Sequence, residues 1–148
     1  MNTRKYYLAY GMNTNLEQMA QRCPNAKSLG KVKLRGHKLA FKTFCDAVKS
    51  PGDVMECVLW SITDDCERAL DVLEGYPDFY GKKEVEVYHN NQKIRAMIYY
   101  MTDYYISGYP SESYLRMVIE GYHSHSISGS YISDAIDEVL QHEYHTGI

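Results

Sequence analysis

The chain has 148 residues, of which 45% are hydrophobic and 24% are charged, a composition typical of a globular domain with a substantial core. Its net charge of −3 gives no electrostatic basis for binding nucleic acid. No apolar stretch reaches the roughly 18 residues that a membrane span needs, and residues 1–10 lack the features of a signal peptide. We therefore expect a single cytoplasmic domain over residues 1–148 that contacts neither nucleic acid nor membrane.

The first predicted element is a buried strand over residues 5–10, which runs into the turn Tyr10-Gly11-Met12-Asn13. A glycine turn between a strand and a helix presents backbone N–H groups that hold an anion or an oxyanion. We expect Gly11 to have a positive φ, which a β-branched residue tolerates poorly. Thr14 and Glu17 fit a capping box for the helix that follows.

Most of the middle of the chain is predicted to form strands. The strands are separated by turn-forming residues and cover 31–34, 38–44, 54–62, 83–89 and 94–101. Breaks are predicted at Arg35-Gly36, at residues 50–53 and at Asn90-Asn91.

Helical spacing of apolar residues predicts the other helices. One begins at the N-cap Thr63 and ends at Gly75, and two more cover residues 113–122 and the region around 132–140. The total is about six strands with three or four helices, and the strands cluster instead of alternating with helices. This pattern favours an α+β fold with a curled or barrel-like sheet.

We expect neither disulfide bonds between the cysteines nor metal binding by the histidines. The cysteines Cys23, Cys45, Cys57 and Cys66 form no C-x-x-C pair and are expected to be reduced and mostly buried. The histidine pairs 123/125 and 142/145 have no cysteine or carboxylate cluster beside them to complete a ligand set, so we expect solvated histidines and no metal site.

Glu74 is the strongest candidate for chemistry. It lies four residues after Leu70, on the same side of the predicted helix, so it should border the core. Partial burial and the helix C-terminus both favour the protonated carboxyl and raise its pKa. Taken alone, the local pattern is more typical of a solvated glutamate at an ordinary helix end.

Several segments together carry a family resemblance. They span most of the chain and are Leu8–Asn13, Arg22–Ala26, Ser50–Asp53, Val58–Trp60, Leu70–Gly75, and Tyr80 with the strand after it. With these segments in this order, the chain resembles the gamma-glutamylcyclotransferase-like family. The resemblance implies a small mixed β-barrel with flanking helices.

The resemblance also implies an activity and a site. A γ-glutamyl compound, a small molecule, would cyclise by attack of its own α-amine on its γ-carbonyl, releasing 5-oxoproline and an amine or amino acid. Glu74 would be the catalytic acid–base, and the turn containing Tyr10, Gly11, Met12 and Asn13 would bind the γ-glutamyl group. Tyr10 either packs or donates a hydrogen bond to the substrate, and the second-rank pocket candidates are Tyr80 and Tyr114. No cofactor is required, and we expect a monomer or homodimer.

Met12 departs from the family pattern, which usually has serine at this position. The hydroxyl donor is lost, although the backbone N–H remains, so substrate preference is open. One alternative function is a cyclotransferase specific for γ-glutamylamines. Another is a non-catalytic binding or regulatory module on the same fold, which Met12 favours and the presence of Glu74 disfavours.

Overall fold

This computed structural model describes residues 4–102 and 105–146, and it describes side chains as far as residue 142. The strands are β1 Lys5–Ala9, β2 Lys27–Lys42, β3 Phe44–Ile62, β4 Tyr80–His89 and β5 Gln92–Met101. The helices are α1 Leu16–Arg22, α2 Asp64–Glu74, α3 Glu112–Ser124 and α4 Ser130–Thr146. None of the helices in these ranges is both long and apolar enough to cross a membrane.

The strands form one mixed sheet in the order β2-β3-β1-β5-β4, in which β1 and β5 run parallel and the other neighbours run antiparallel. The predicted α+β class is therefore confirmed. The described sheet is not closed into a full barrel, because β2 and β4 are its edges and do not pair with each other. The sheet curls so that these edges approach: His37 Nε2 on β2 lies 3.1 Å from Lys83 Nζ on β4.

Five strands replace the predicted six because the predicted breaks at Arg35-Gly36 and at residues 50–53 lie within strands, whereas the chain turns at Thr43, inside the predicted strand 38–44. The pairing of β2 with β3 passes from Arg35↔Val54 directly to His37↔Lys49, so residues 50–53 form an irregular bulge instead of a turn. Gly36 and Gly52 have φ values of 74° and 90°, and this left-handed backbone accommodates the bulge while the ladder continues on both sides.

The predicted ends of α2 are confirmed. The Thr63 side chain accepts a hydrogen bond from Cys66 N at 3.3 Å, and Gly75 closes the helix with a φ of 64°. The αL conformation of Gly75 ends the helix directly after Glu74.

The predicted capping box of α1 is wrong. Asn15 is the N-cap, since its side chain accepts from Gln18 N at 3.1 Å, while Thr14 Oγ1 donates to Gly11 O at 2.7 Å. The reason is a 3₁₀ turn over Met12–Thr14, which moves the start of the helix by one residue.

The expectation of reduced cysteines is wrong for one pair. Cys23 and Cys66 form a disulfide, with their Cα atoms 5.2 Å apart. Cys23 caps the end of α1 and Cys66 lies in the first turn of α2, so the packing of these two helices brings together residues 43 positions apart. Cys45 and Cys57 are free and buried, as expected.

The core lies on both faces of the central strands. Residues 57–60 of β3 are all at most 4% exposed, and since successive side chains of a strand point to opposite faces, both faces are covered there. Val118 and Tyr122 of α3 are also buried. The Tyr122 hydroxyl donates to Tyr10 O at 2.7 Å, which holds α3 against the turn that follows β1.

Candidate active site

The turn after β1 is fixed by hydrogen bonds to its carbonyl groups. Tyr122 of α3 donates to Tyr10 O, and Trp60 Nε1 of β3 donates to Asn13 O at 3.0 Å. Both donors are buried, so the turn is held from a helix and from the sheet at once. Its position is therefore set by tertiary packing and not by the local sequence alone.

Glycine is required at position 11 because there is no room for a side chain. The positive φ expected for this residue is wrong. Its φ is −117°. A Cβ atom added here would lie 3.0 Å from Tyr114 Oη and 3.1 Å from the Cβ of Cys45. The close approach of α3 and β3 to the turn therefore explains the glycine.

Glu74 lies at the end of α2 and faces the same turn. Its carboxyl accepts a hydrogen bond from Asn13 Nδ2 at 3.3 Å. Burial raises the pKa of this carboxyl to about 7, while the Arg22 guanidinium and the Asn13 hydrogen bond act in the opposite direction. The carboxyl therefore exchanges protons in the pH range where acid–base catalysts work.

Asn13 links the polar groups of the site. It is 4% exposed. Its amide nitrogen donates to Glu74 and to Tyr7 Oη, the latter at 3.0 Å, and its amide oxygen accepts from Arg22 Nη1. A second guanidinium nitrogen of Arg22 lies 3.0 Å from the Sδ atom of Met12. One buried amide thus connects an anion, a cation and a phenol.

All seven residues predicted for the site line one cavity of about 450 Å³, a size suited to a small molecule. They are Tyr10, Gly11, Met12, Asn13, Glu74, Tyr80 and Tyr114. Their catalytic and binding roles stay predictions, while their convergence is a property of the fold.

The hydroxyl groups of the three predicted tyrosines bond to the protein backbone. Tyr10 donates to Tyr99 O at 2.6 Å, and Tyr80 donates to Cys45 O at 2.7 Å. Tyr114 Oη accepts from Cys45 N at 3.0 Å. Burial raises the pKa of each phenol well above its usual value, so all three are neutral. These residues shape the cavity chiefly with their rings.

Sequence reasoning missed three polar residues of the cavity, Tyr7, Arg22 and Tyr99. A signal for Arg22 was present, because it follows the fully buried Met19 by three residues and so lies on the inner side of α1. Tyr7 had no such signal, since it stands in an unbroken apolar run in which the buried face cannot be read.

The histidine pairs do not mark a metal site in the described residues, where no group of three or more potential ligands is found. His125 Nε2 lies 2.8 Å from Ser28 Oγ and its ring packs against Trp60. The side chain of residue 145 lies outside the described residues. The absence of a metal requirement stays a prediction.

Comparisons with known proteins agree with the resemblance. The family model described as gamma-glutamyl cyclotransferase, AIG2-like, matches residues 7–124. No curated protein matches the sequence significantly. Among solved structures, a gamma-glutamyl cyclotransferase is 26% identical with a TM-score of 0.80, and the match covers 90% of this chain and 86% of that one.

Two other structures show the same fold. An uncharacterised human protein is 26% identical with a TM-score of 0.77, over 89% of this chain and 86% of the human one. A yeast gamma-glutamyl cyclotransferase, described as specific to glutathione, is 13% identical with a TM-score of 0.60, over 97% of this chain and 99% of its own. At that identity the yeast protein supports the fold alone. Because the family model matches well over half of the sequence, the chain belongs to the gamma-glutamyl cyclotransferase, AIG2-like family.

Proposed function

We propose that the protein is a gamma-glutamyl cyclotransferase that converts a small γ-glutamyl compound to 5-oxoproline and a free amine or amino acid. The substrate's α-nitrogen forms a bond to its own γ-carbonyl carbon, and the bond from that carbon to the departing nitrogen breaks. Because the nucleophile is part of the substrate, its effective concentration is already high and no enzyme nucleophile is needed.

Glu74 is the proposed acid–base. As a carboxylate it takes a proton from the α-ammonium, and as an acid it delivers a proton to the departing nitrogen. The α-nitrogen loses two protons in becoming the lactam N–H, and the departing amine gains two, so the reaction balances without any other reactant. The raised pKa of Glu74 supports this role, because a carboxyl that titrates near 7 can both accept and return a proton.

The turn is the proposed oxyanion site. The carbonyl groups of Tyr10 and Asn13 already accept hydrogen bonds from the protein. Residues 11–13 line the cavity, and their backbone N–H groups are the proposed donors to the charge that develops on the γ-carbonyl oxygen. No cofactor takes part in this scheme.

The observation that carries the proposal is the partly buried hydrogen bond from Asn13 to Glu74 at the wall of a tyrosine-lined cavity. A panel of γ-glutamyl compounds should be scored for release of 5-oxoproline. Glu74→Gln should lower turnover roughly 10²–10⁴-fold, since glutamine keeps the size and polarity of the side chain but cannot exchange the proton.

Glu84→Gln is the matched control, because Glu84 lies on the exposed side of β4 in an ion pair with Arg95. It should turn over substrate like the wild type. A Glu74→Gln protein that retains wild-type turnover would assign the proton transfers to another group. Failure of every γ-glutamyl compound with the wild-type protein would favour the non-catalytic alternative.

A further inference from the structure

Three basic side chains collect where the two edges of the sheet approach each other. They come from three strands: His37 from β2, Lys49 from β3 and Lys83 from β4. His37 and Lys49 are opposite each other in the antiparallel ladder, so their side chains leave the same face of the sheet. Lys83 Nζ reaches across from the other edge to lie 3.1 Å from His37 Nε2. We call His37, Lys49 and Lys83 the basic cluster.

Hydrogen bonds determine what His37 offers to Lys83. His37 Nδ1 lies 3.0 Å from Arg35 O, which can only accept, so Nδ1 carries the proton of the neutral ring. Nε2 then accepts a hydrogen bond from the Lys83 ammonium. An ammonium has three N–H groups, so two of them are left for another acceptor. The ring centroid of Tyr100 lies 5.5 Å from the same ammonium.

The carboxylates nearest to the basic cluster have other partners. Glu84, next to Lys83 in β4, pairs with Arg95. Asp46 is 2% exposed and bonds to Lys42 and to a backbone N–H group of β5. Among the residues that the structure describes, no carboxylate forms an ion pair with a member of the basic cluster. Its positive charge is therefore left for a ligand.

The protein environment shows the lack of a counter-charge. Burial lowers the pKa of His37, and Lys83 and Lys49 lower it further, while the bond to Arg35 O acts in the opposite direction. Burial and the ammonium of Lys49 also lower the pKa of Lys83, against a smaller opposing effect of Asp46. A bound anion would favour the charged form of both side chains.

The arrangement suits an anion with several oxygen atoms. Because the three side chains belong to three strands, they can approach one ligand from different sides. A phosphate group has more oxygen atoms than a carboxylate and a charge close to −2, so it can accept hydrogen bonds from two lysines and a histidine together.

We propose that the basic cluster binds a phosphate group, either as free phosphate or as the phosphate of a small monoester, between the two edges of the sheet. None of its residues lines the cavity that contains Glu74. The site is therefore separate from the proposed active site and does not depend on the proposed function.

Calorimetric titration with inorganic phosphate at pH 7, at an ionic strength held constant with chloride, tests the proposal. We expect saturable binding and a higher melting temperature, since a ligand of the folded state stabilises it. Lys83→Met should weaken binding about tenfold, the effect of losing a hydrogen bond between charged groups. Lys93→Met is the control, because it removes the same charge from an exposed ion pair with Glu86. Absence of binding to the wild type, or equal weakening by both variants, would overturn the proposal.

The pH dependence of sulfate binding tests the part of His37. Sulfate is a dianion throughout the range from pH 6 to pH 8, so a pH dependence of its binding comes from the protein. Protonated His37 adds an N–H donor, so the wild type should bind sulfate at least about threefold more tightly at pH 6 than at pH 8. His37→Gln should abolish this difference. His89→Gln should preserve it, since His89 bonds to Leu29 O at the far end of β4. Sulfate binding that is equal at both pH values in the wild type would contradict the proposal.

A further titration distinguishes the two sources of the phosphate group. Glycerol 3-phosphate replaces inorganic phosphate under the same conditions. Tighter binding of the ester supports a site for a phosphorylated small molecule, and weaker or equal binding supports a site for free phosphate. In either case Lys83→Met must weaken binding and Lys93→Met must not; failure of this pattern with both ligands would overturn the proposal.

Discussion

At the scale of single residues, the site depends on one carboxyl that the fold keeps away from water. Glu74 ends α2 and is held by Asn13, with Arg22 on the other side of that amide. The cost of burying its charge exceeds the help from these two neighbours, and for this reason the pKa rises to about 7. The free-energy cost of burying this charge must also lower the stability of the folded protein when Glu74 is ionised.

Glu74 should make stability depend on pH. Its pKa is higher in the folded state than the ordinary 4.5, so its contribution is fully present below about pH 4.5 and is lost as pH rises through about 7. Glu74→Gln removes this dependence. We expect the variant to be more stable than the wild type at pH 8 by about 2–3 kcal/mol, and to differ little at pH 4.

Urea unfolding of both proteins at the two pH values measures this effect. The exposed Glu84→Gln variant serves as the control and should show no such pH-dependent gain. Equal stability of Glu74→Gln and the wild type at pH 8 would contradict the burial of a charged carboxylate at this position.

Gly11→Val should impair substrate binding through the space that the side chain fills. A Cβ atom at Gly11 already approaches Tyr114 and Cys45 closely, and the two methyl groups must displace these walls or enter the cavity. We expect a higher KM together with a lower melting temperature. Gly129→Val is the control, since no atom lies within 4 Å of a Cβ there. Normal folding and turnover of Gly11→Val would show that the turn is only a connection.

Met12→Ser should be mild, because it leaves the turn's backbone in place. It restores the family hydroxyl but removes the sulfur atom that contacts Arg22. We expect turnover within about tenfold of the wild type, with a changed ranking of γ-glutamyl compounds. The panel of compounds described above measures the ranking. A loss as large as that of Glu74→Gln would place the methionine among the groups needed for the reaction.

At the scale of elements, the position of α3 determines the position of the turn. A Cβ added to Gly121 of α3 would lie 2.7 Å from Asn15 N and equally close to the carbonyl carbon of Thr14, distances that backbone atoms cannot accommodate without moving. Helix and 3₁₀ turn therefore pack with their backbones nearly in contact. Since Tyr122 on the same helix also bonds to Tyr10 O, α3 supports the turn, and its Tyr114 lines the cavity beside it.

Gly121→Ala should destabilise the protein, although alanine is the better helix former by about 1 kcal/mol. Overpacking of this kind costs about 1–3 kcal/mol, which lowers the melting temperature by roughly 3–10 °C in a chain of this size. Gly129→Ala should leave the melting temperature nearly unchanged. A higher melting temperature for Gly121→Ala would mean that the helix and the turn do not pack this closely.

At the scale of the whole molecule, the sheet brings together site residues from distant parts of the chain. The central strand β1 ends in the turn, β3 and β5 flank it, and α2 returns Glu74 to the same place. None of the described histidine, cysteine, aspartate and glutamate residues forms a cluster of three that could bind a metal.

We expect turnover to survive exhaustive treatment with EDTA, because the proposed reaction needs only the substrate's amine, one carboxyl and backbone donors. Release of 5-oxoproline before and after dialysis against EDTA measures this. Activity that is lost with EDTA and restored by Zn²⁺ or Mg²⁺ would bring the histidines back into consideration.

The sequence by itself determined the type of most elements and several local signals. The cap Thr63, the stop at Gly75, the turn at Asn90-Asn91 and the helical spacing around Leu70 all depend on residues a few positions apart, and each prediction agrees with the structure. The family motifs predicted that Glu74 and the turn after β1 belong to one site. The local pattern around Glu74, taken alone, was more typical of a solvated glutamate.

Only the tertiary structure decided how distant parts of the chain meet. The Cys23–Cys66 disulfide, the continuous strands through residues 50–53 and the contact of Arg22 with Asn13 arise from packing between elements. The need for glycine at position 11 has the same origin. Its φ is ordinary, and a side chain is excluded by neighbours on β3 and α3, not by the backbone conformation. Local sequence cannot encode such contacts residue by residue, since each depends on how whole elements are positioned by the burial of their apolar faces.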